Sequence, residues 1–209
     1  MRPLALFLLA LILGGLRPVI TAAQVPVVEA HVMADDFAAA MLDGEALFAG
    51  CSLGCAYGWE TAASSHLAPQ GANTYGAAML EDFSPRTAWV EGAEGDGVGE
   101  WLAFTILPPD GEGAGDPVPF WGIDVVNGYA KTEATWEANG RVQELLLTVN
   151  DVPVALLQLL DVRLPQSVEL PEGLMVGPGD VVALEVRAVY PGTRYADTAI
   201  TEIALHGAH

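Results

Sequence analysis

A loop between two tryptophans holds the densest set of groups that could contact a ligand. Trp89 and Trp101 flank residues 91–100, which alternate glycines with carboxylates that include Glu91 and Asp96. Glycine permits backbone conformations that other residues avoid, so such a loop can approach a ligand closely. The two tryptophans have the character of strand residues that anchor the loop ends. The loop holds no nucleophile beside a base and therefore indicates binding sooner than catalysis, with an acidic surface hairpin as the alternative.

Two further stretches carry aromatic faces and fixed polar donors, which are the groups that hold a sugar. One surrounds Lys131, the sole lysine of the chain, and the other spans residues 190–197. With the carboxylates of the first loop, the predicted ligand-binding residues are Glu91, Asp96, Asn127, Tyr129, Lys131, Trp136, Asn139, Arg141, Tyr190, Arg194, Tyr195 and Asp197.

The same residues also have a structural interpretation. Tyr190 and Tyr195 could close one end of the fold without touching a ligand. Arg141 could pair with Asp197 or Glu91, because half-buried arginines usually have such partners. The sequence leaves this alternative open.

These loops need a scaffold, and from Tyr57 onward the chain consists of strand-length apolar runs separated by turn residues. Asn150 and Asp151 predict a tight hairpin. So many short strands predict an all-β sandwich. The predicted strands cover residues 101–106, 120–126, 142–149, 152–159, 162–164, 166–170, 180–190 and 199–205.

The first 23 residues have the pattern of a signal peptide. A basic start is followed by an apolar run at residues 4–13, which is short for a membrane span. Small residues at 21–23 suit a cleavage site, so the mature chain is predicted to begin near Gln24. The alternative is an uncleaved anchor. Cleavage predicts an exported protein, periplasmic or secreted, without a stable membrane anchor.

Residues 24–50 form a distinct N-terminal extension. Its alanine-rich stretch predicts a short helix over residues 32–42, with Asp35 or Asp36 as the N-cap and an end near Asp43. The apolar side of such a helix is typically a docking surface. The extension either packs on the following domain or serves as a tether.

Charge restricts the class of partner. The chain has 8 Lys+Arg against 27 Asp+Glu, a formal net charge of −19 at pH 7. Binding to nucleic acid needs a positive surface, and so does binding to anionic lipid. Both are therefore excluded as expected partners, whereas sugars, cations and basic proteins remain. The length suits one domain with a modest extension.

The two cysteines, Cys51 and Cys55, are separated by three residues. In an exported chain this spacing favours a short-loop disulfide, and Gly54 permits the tight reversal that it needs. A zinc site has little support, because the four histidines are not at ligand spacing from the pair. A thioredoxin-like redox pair has two intervening residues and is weaker still.

A collinear set of residues from Cys51 to Leu205 carries a family pattern. Its members include Cys51, Ser52, Cys55, Trp59, Asp82, Phe83, Thr87, Trp89, Gly92, Asn127, Gly128, Tyr129, Lys131, Asn139, Arg141, Val142, Tyr190, Pro191, Gly192, Tyr195, Asp197, Thr198, Glu202 and Ile203. The set resembles the F5/8 type C, or discoidin-like, domain of the NAD glycohydrolase translocation type, within the galactose-binding-domain-like superfamily. The resemblance implies an eight-stranded jelly roll over residues 51–209 and a glycan-binding activity. It does not extend to an NAD-hydrolysing domain.

Discoidin-like domains often hold a structural calcium beneath their binding loops. By position, the resemblance implies Asp82, Thr87 and Glu202 as ligands, with backbone oxygens near Leu80 and Pro85. Such hard oxygen ligands suit Ca²⁺. The alternative is that Asp82 caps its own turn and Glu202 faces solvent. No catalytic cofactor is expected.

Two functions follow from these observations. The first is an exported, non-catalytic module that recognises a glycan or another cell-envelope component through loops at one end of the sandwich. The second is a protein-interaction or assembly module that uses the helix at 32–42 or the acidic face. Enzymatic activity is not expected, because no carboxylate pair stands out in the sequence.

Overall fold

The computed structural model describes residues 25–43, 47, 53–109 and 115–207, so the predicted signal peptide lies outside the described residues. Two short 3-10 turns occur at Leu53–Cys55 and Ala77–Leu80. The strands and α-helices of the described residues are, in chain order, β1 (Val27–Glu29), β2 (His31–Val32), α1 (Asp35–Asp43), β3 (Trp59–Ala63), β4 (Trp89–Val90), β5 (Trp101–Ile106), β6 (Val118–Asn127), α2 (Glu133–Ala138), β7 (Gly140–Val149), β8 (Val152–Gln158), β9 (Gln166–Glu169), β10 (Met175–Val176), β11 (Val181–Tyr190) and β12 (Thr198–Gly207).

The strands form two groups that share one apolar core. One group runs in the order β3-β5-β11-β7-β8, and the other in the order β2-β9-β6-β12, with β4 and β10 at its margins. A short parallel ladder of Thr198 with Gly140 and of Ala199 with Arg141 connects the groups through β12 and β7. Apolar side chains of both groups meet in a single cluster, whose largest members include Trp89, Phe104 and Phe120. The predicted all-β sandwich is confirmed.

Alternating burial explains why most strands were predictable. Strand β5 has the predicted bounds, and its alternate residues Leu102, Phe104 and Ile106 are buried. The predicted hairpin between β7 and β8 is confirmed by positive φ angles at Asn150 (51°) and Asp151 (63°), the conformation that tight hairpins require.

The prediction of a strand at residues 162–164 is wrong. This stretch lies outside the strands because Arg163 turns toward Ala130, whose carbonyl oxygen accepts bonds from Nε at 3.0 Å and Nη2 at 2.7 Å. The described residues also form more strands than the eight that the resemblance implied, and two of the additional strands belong to the N-terminal extension.

The described part of the N-terminal extension packs on the sandwich. Strand β1 adds in parallel to β8, and β2 adds antiparallel to β9. Helix α1, predicted at 32–42 and observed at Asp35–Asp43, lies in a cluster where Met41 and Leu47 meet Val126 and Ala130. The Leu47 backbone N–H also donates to the Phe83 carbonyl at 2.8 Å. The described part of the extension therefore covers sheet edges and packs against one apolar cluster.

The fold brings the candidate loops to one end of the molecule. Strands β6 and β11 end there, at Asn127 and Tyr190, and strands β7 and β12 begin there, at Gly140 and Thr198. Helix α2 lies in the connection between β6 and β7. The loops at 128–139 and 191–197 are consequently neighbours, although about 60 residues separate them along the chain.

Candidate ligand-binding site

A buried amide holds the base of the site together. The Asn127 side chain donates from Nδ2 to the Val142 carbonyl at 2.7 Å, and its Oδ1 accepts from the Val142 backbone N–H at 2.9 Å. The Asn127 carbonyl in turn accepts from the Trp136 Nε1–H at 2.9 Å. Asn127 and Trp136, both predicted as ligand residues, therefore brace strands β6 and β7 and helix α2.

Arg141 ties three loops together. Its Nε and Nη2 each lie 3.0 Å from a carboxylate oxygen of Asp161, which is the partner that the sequence did not identify. Its Nη1 donates to the carbonyls of Asn139 and Pro191 at 3.0 Å, and the guanidinium lies 4.7 Å from the Trp136 ring centroid. Arg141 thus has a structural role, as one of the two interpretations of the sequence predicted, but its acidic partner is Asp161 and not Asp197 or Glu91.

The loop at 191–197 is docked on the carboxyl end of helix α2. Backbone N–H groups of Arg194 and Tyr195 donate to the Ala138 carbonyl at 3.1 and 2.8 Å, and that of Thr193 donates to the Glu137 carbonyl at 2.9 Å. These bonds satisfy helix carbonyls that otherwise lack a partner. A Cβ at Gly192 would lie 2.5 Å from the Ala138 carbonyl oxygen, so the close approach requires glycine.

A pocket of about 200 Å³ opens between these loops and the segment at 67–75. Tyr75 and Tyr129 form its buried aromatic wall, with ring centroids 6.4 Å apart and an interplanar angle of 88°. Burial raises the pKa of the Tyr129 phenol, so the hydroxyl keeps its proton. The lining residues are Leu67, Gln70, Tyr75, Val90, Tyr129, Thr135, Asn139, Tyr195 and Asp197.

The polar members of the lining supply both donors and acceptors. Asn139 is held in place because its Nδ2 donates to the Thr135 carbonyl at 2.8 Å, at the end of helix α2. Asp197 supplies a carboxylate and Tyr195, which is 43% exposed, supplies an aromatic face at the mouth. Aromatic faces with a few fixed polar groups are what a sugar ring needs.

An open groove adjoins this pocket. It has a volume of about 540 Å³ and shares Tyr195 with the pocket. The Arg194 guanidinium lies 5.0 Å from the Tyr195 ring centroid. The groove is lined by Asp96, Val189, Pro191, Gly192, Thr193, Arg194, Tyr195 and Ala196.

Glu91 lies inside the glycine-rich loop. Its side chain is fully buried, Oε2 accepts from the Ala93 N–H at 2.7 Å, and Oε1 has no hydrogen-bond partner. Burial raises the pKa of the Glu91 carboxyl, and the nearby charge of Asp197 raises it further. Gly97 has a φ of +79°, and a Cβ there would lie 2.7 Å from Glu91 Cγ. The loop therefore folds around Glu91.

The structure thus separates the twelve predicted ligand residues into groups. Tyr129, Asn139, Tyr195 and Asp197 line the pocket, while Asp96, Arg194 and again Tyr195 line the groove. The residues that lie outside both linings are Glu91, Asn127, Lys131, Trp136, Arg141 and Tyr190.

Lys131 and Tyr190, which lie outside both linings, differ in solvent exposure and in hydrogen bonding. Lys131 is exposed in the turn that precedes helix α2. Tyr190 donates its hydroxyl to the Leu159 carbonyl at 3.0 Å and thereby holds the end of β11.

Sequence reasoning missed one side of the pocket. Gln70 and Tyr75 come from the segment between β3 and β4, which no sequence pattern connects with the other loops. The aromatic Tyr75 within a polar, glycine-containing stretch was the available signal. Its contact with Tyr129 joins residues more than 50 positions apart, which no local pattern reveals.

The implied calcium ligands meet beside the pocket end of β12. Glu202 is buried, and neither carboxylate oxygen makes a hydrogen bond of good geometry, although the Phe83 backbone N–H lies near enough to favour the charged form. Burial, followed by the charge of Asp82, raises the pKa of the Glu202 carboxyl to about 9. Asp82 itself accepts from the Thr87 hydroxyl at 2.7 and 2.9 Å and from the Ser84 N–H at 3.0 Å.

This donor set fits a hard cation. Glu202 offers two carboxylate oxygens that could coordinate an ion, and Asp82 lies close enough for its charge to raise the pKa of Glu202. Within the part of the chain that the structure describes, no group of three or more His, Cys, Asp and Glu is placed to hold a metal. A cation would therefore need oxygens other than carboxylates, such as Thr87 Oγ1 and backbone carbonyls.

The predicted disulfide between Cys51 and Cys55 stays a prediction, because Cys51 lies outside the described residues. Cys55 is the last residue of the first 3-10 turn. No helix in the described ranges is long and apolar enough to cross a membrane. Both observations leave the predicted export untested.

Comparison with known proteins gives a family match and a fold match. The model of the NAD glycohydrolase translocation F5/8 type C domain matches residues 55–206. Among curated proteins, no sequence matches the chain.

Several solved structures are similar. The CBM32-1 and CBM32-2 domains of Clostridium perfringens ZmpB in complex with GalNAc share 9% identity at a TM-score of 0.54, over 88% of this chain and 40% of that chain. A larger ZmpB structure that includes the M60 catalytic domain gives 9% identity and a TM-score of 0.55, over 91% of this chain and 17% of that chain. A mutant arabinofuranosyltransferase AftD from Mycobacteria shares 18% identity at a TM-score of 0.51, over 72% of this chain and 11% of that chain. The chain thus spans less than half of each of these proteins, and the likeness shows the fold.

Proposed function

The chain belongs to the family of NAD glycohydrolase translocation F5/8 type C domains, and on this premise we propose that it is an exported, non-catalytic binding module. Its ligand is a glycan or another cell-envelope component, and the binding site is the pocket walled by Tyr75, Tyr129 and Tyr195. Periplasmic and secreted locations both suit this role.

The pocket lining is the observation that carries the proposal. Three tyrosines provide apolar faces, and Asn139, Gln70 and Asp197 provide groups that bind hydroxyls. Among the residues that the structure describes, no arginine or lysine lines the pocket, so an uncharged sugar suits it better than an anionic one. The CBM32 domains of Clostridium perfringens ZmpB, whose fold is similar, were solved with GalNAc, which supports a sugar as the ligand.

The absence of catalysis is part of the proposal. Glycoside hydrolysis ordinarily uses two carboxyl groups on either side of the scissile bond. Within the described ranges, the one carboxylate in the pocket lining is that of Asp197, and the neighbouring Glu91 is enclosed by its own loop. Release of product from a broad panel of glycosides or from NAD would contradict this part.

We also propose that a structural Ca²⁺ is held by Asp82, Thr87 and Glu202 with backbone oxygens near Leu80 and Pro85. A bound cation would supply the partner that the two buried Glu202 oxygens lack. It would also connect the 80–87 loop to strand β12, and thereby stabilise the base of the pocket.

A glycan array with the mature protein tests the proposed function. We expect specific binding that is lost in Tyr195→Ala and weakened in Asp197→Asn, with the melting temperature unchanged. The matched control is Trp121→Ala, because Trp121 is an exposed aromatic residue six positions before the pocket end of β6 and lies outside the pocket lining.

Two results would contradict the proposal. One is equal loss of binding in the Trp121→Ala control. The other is the absence of binding to any glycan together with reproducible capture of a protein partner, which would favour an assembly module instead. The apolar side of helix α1 packs on the sandwich, so such a partner would have to contact another surface.

A further inference from the structure

The pocket and the groove are two parts of one concave surface. Both are lined by Tyr195, so they adjoin each other at this residue. The pocket is lined by residues of the segments 67–75, 128–139 and 191–197 together with Val90, and the groove by Val189, residues 191–196 and Asp96 of the glycine-rich loop. A ligand that fills the pocket and leaves it past Tyr195 must enter the groove.

The volumes of the two depressions favour a ligand of more than one unit. Sites for drug-sized ligands usually enclose about 300–1,000 Å³, so a pocket of about 200 Å³ suits a single small unit such as one sugar ring. The groove adds about 540 Å³ of open space at the mouth of the pocket. It can receive a second ring without any rearrangement of the pocket.

The groove is ordered by backbone hydrogen bonds before any ligand binds. The Thr193 hydroxyl and backbone N–H both donate to the Glu137 carbonyl at 2.9 Å. On the opposite side, the Thr198 hydroxyl donates to the Asp96 carbonyl at 2.8 Å. Binding there would order few additional residues, and this lowers the entropic cost of recognition.

The side chains of the groove have the chemistry to bind a hydroxylated ring. Arg194 provides donors above the Tyr195 face, and Asp96 provides an exposed carboxylate as acceptor. Val189 and Pro191 provide apolar surface for the ring itself. Because Arg194 is held through its own backbone N–H, its side chain can be changed without removing the loop's anchor.

We propose that the site recognises an oligosaccharide, with one ring in the pocket and the next ring across Tyr195 in the groove against Arg194 and Asp96. This inference rests on the proposed glycan-binding function. It makes chain length a determinant of affinity, and it assigns Arg194 to the second ring alone.

The test uses ladders of one to four units built from galactose, N-acetylgalactosamine and arabinofuranose, titrated into the mature protein. We expect affinity to rise by about tenfold from the single unit to the disaccharide of the recognised series. Arg194→Ala is expected to abolish this gain, so that the variant binds the single unit and the disaccharide with equal affinity. Arg187→Ala is the matched control, because Arg187 pairs with Glu185 on the protein surface and lines neither depression.

The outcomes separate the inference from the function on which it rests. Equal affinity for one and for several units, or a gain that survives in Arg194→Ala, would overturn the two-ring site while glycan binding stands. No binding to any ladder would overturn the proposed function for these sugars and the two-ring site with it. Loss of the gain in Arg194→Ala alone would support the proposal.

Discussion

Replacement of the buried Glu202 carboxyl is expected to stabilise the protein when calcium is absent and to remove the stabilisation that calcium gives. The folded protein raises the pKa of this group from its ordinary value of 4.5 to about 9, because burial removes the charged form from water. A raised pKa of an acid means that its contribution to stability is fully present below pH 4.5 and is lost as the pH rises toward 9.

The pKa difference gives the size of the effect. At pH 7, which is about 2.5 pH units above the ordinary value, the folded state without a cation is destabilised by about 3 kcal/mol relative to a neutral side chain. Glu202→Gln has the shape of the protonated carboxyl and removes this cost. Without calcium the variant should therefore melt roughly 6–12 °C above the wild type at pH 7.

Thermal unfolding in EDTA and in millimolar Ca²⁺, at pH 4.5 and pH 7, measures the effect. Calcium should raise the melting temperature of the wild type and leave that of Glu202→Gln unchanged. Glu60→Gln on strand β3 is the control, because Glu60 is exposed. Equal stability of wild type and Glu202→Gln in EDTA at pH 7, with the same calcium response in both, would show that the buried Glu202 carboxylate neither costs stability nor binds calcium.

Three further predictions concern the scaffold. Asp161→Ala removes the carboxylate partner of Arg141 and leaves its buried guanidinium with two carbonyl acceptors and the Trp136 ring. The free energy of unfolding should fall by about 2 kcal/mol, and an unchanged denaturation midpoint would contradict this. Glu91→Gln should become more stable relative to the wild type as the pH rises above 4.5, because burial raises the pKa of Glu91, and parallel pH profiles of unfolding would refute it. Mass spectrometry without reductant should find Cys51 linked to Cys55, and two alkylatable thiols would exclude the bridge.

The scaffold was predictable where strand patterns are local. The alternation of buried and exposed residues in β5, and the Asn150-Asp151 turn between β7 and β8, are properties of neighbouring residues. Strands β1 and β2 have only three and two residues, too few to show an alternation. They exist because β8 and β9 offer edges to which they bind, and this is a property of the assembled sheet.

The candidate site was predictable where its residues stand close together in the sequence, and not where distant segments meet. Aromatic and polar residues in the loops at 128–139 and 191–197 were visible in the sequence, and four of them line the pocket. Sequence alone could not show that Asp161 is the partner of Arg141 or that Tyr75 meets Tyr129, because each contact joins distant segments. The burial of Glu202 is likewise a product of packing.

Hydrogen–deuterium exchange of the protein with and without the glycan that binds best on the array shows whether the ligand occupies the pocket. Binding at the pocket should slow amide exchange in residues 67–75, 128–139 and 191–197. The segment of β6 around the exposed Trp121 should exchange at the same rate with and without the glycan. Protection confined to that segment, or to helix α1, would contradict the assignment of the ligand site.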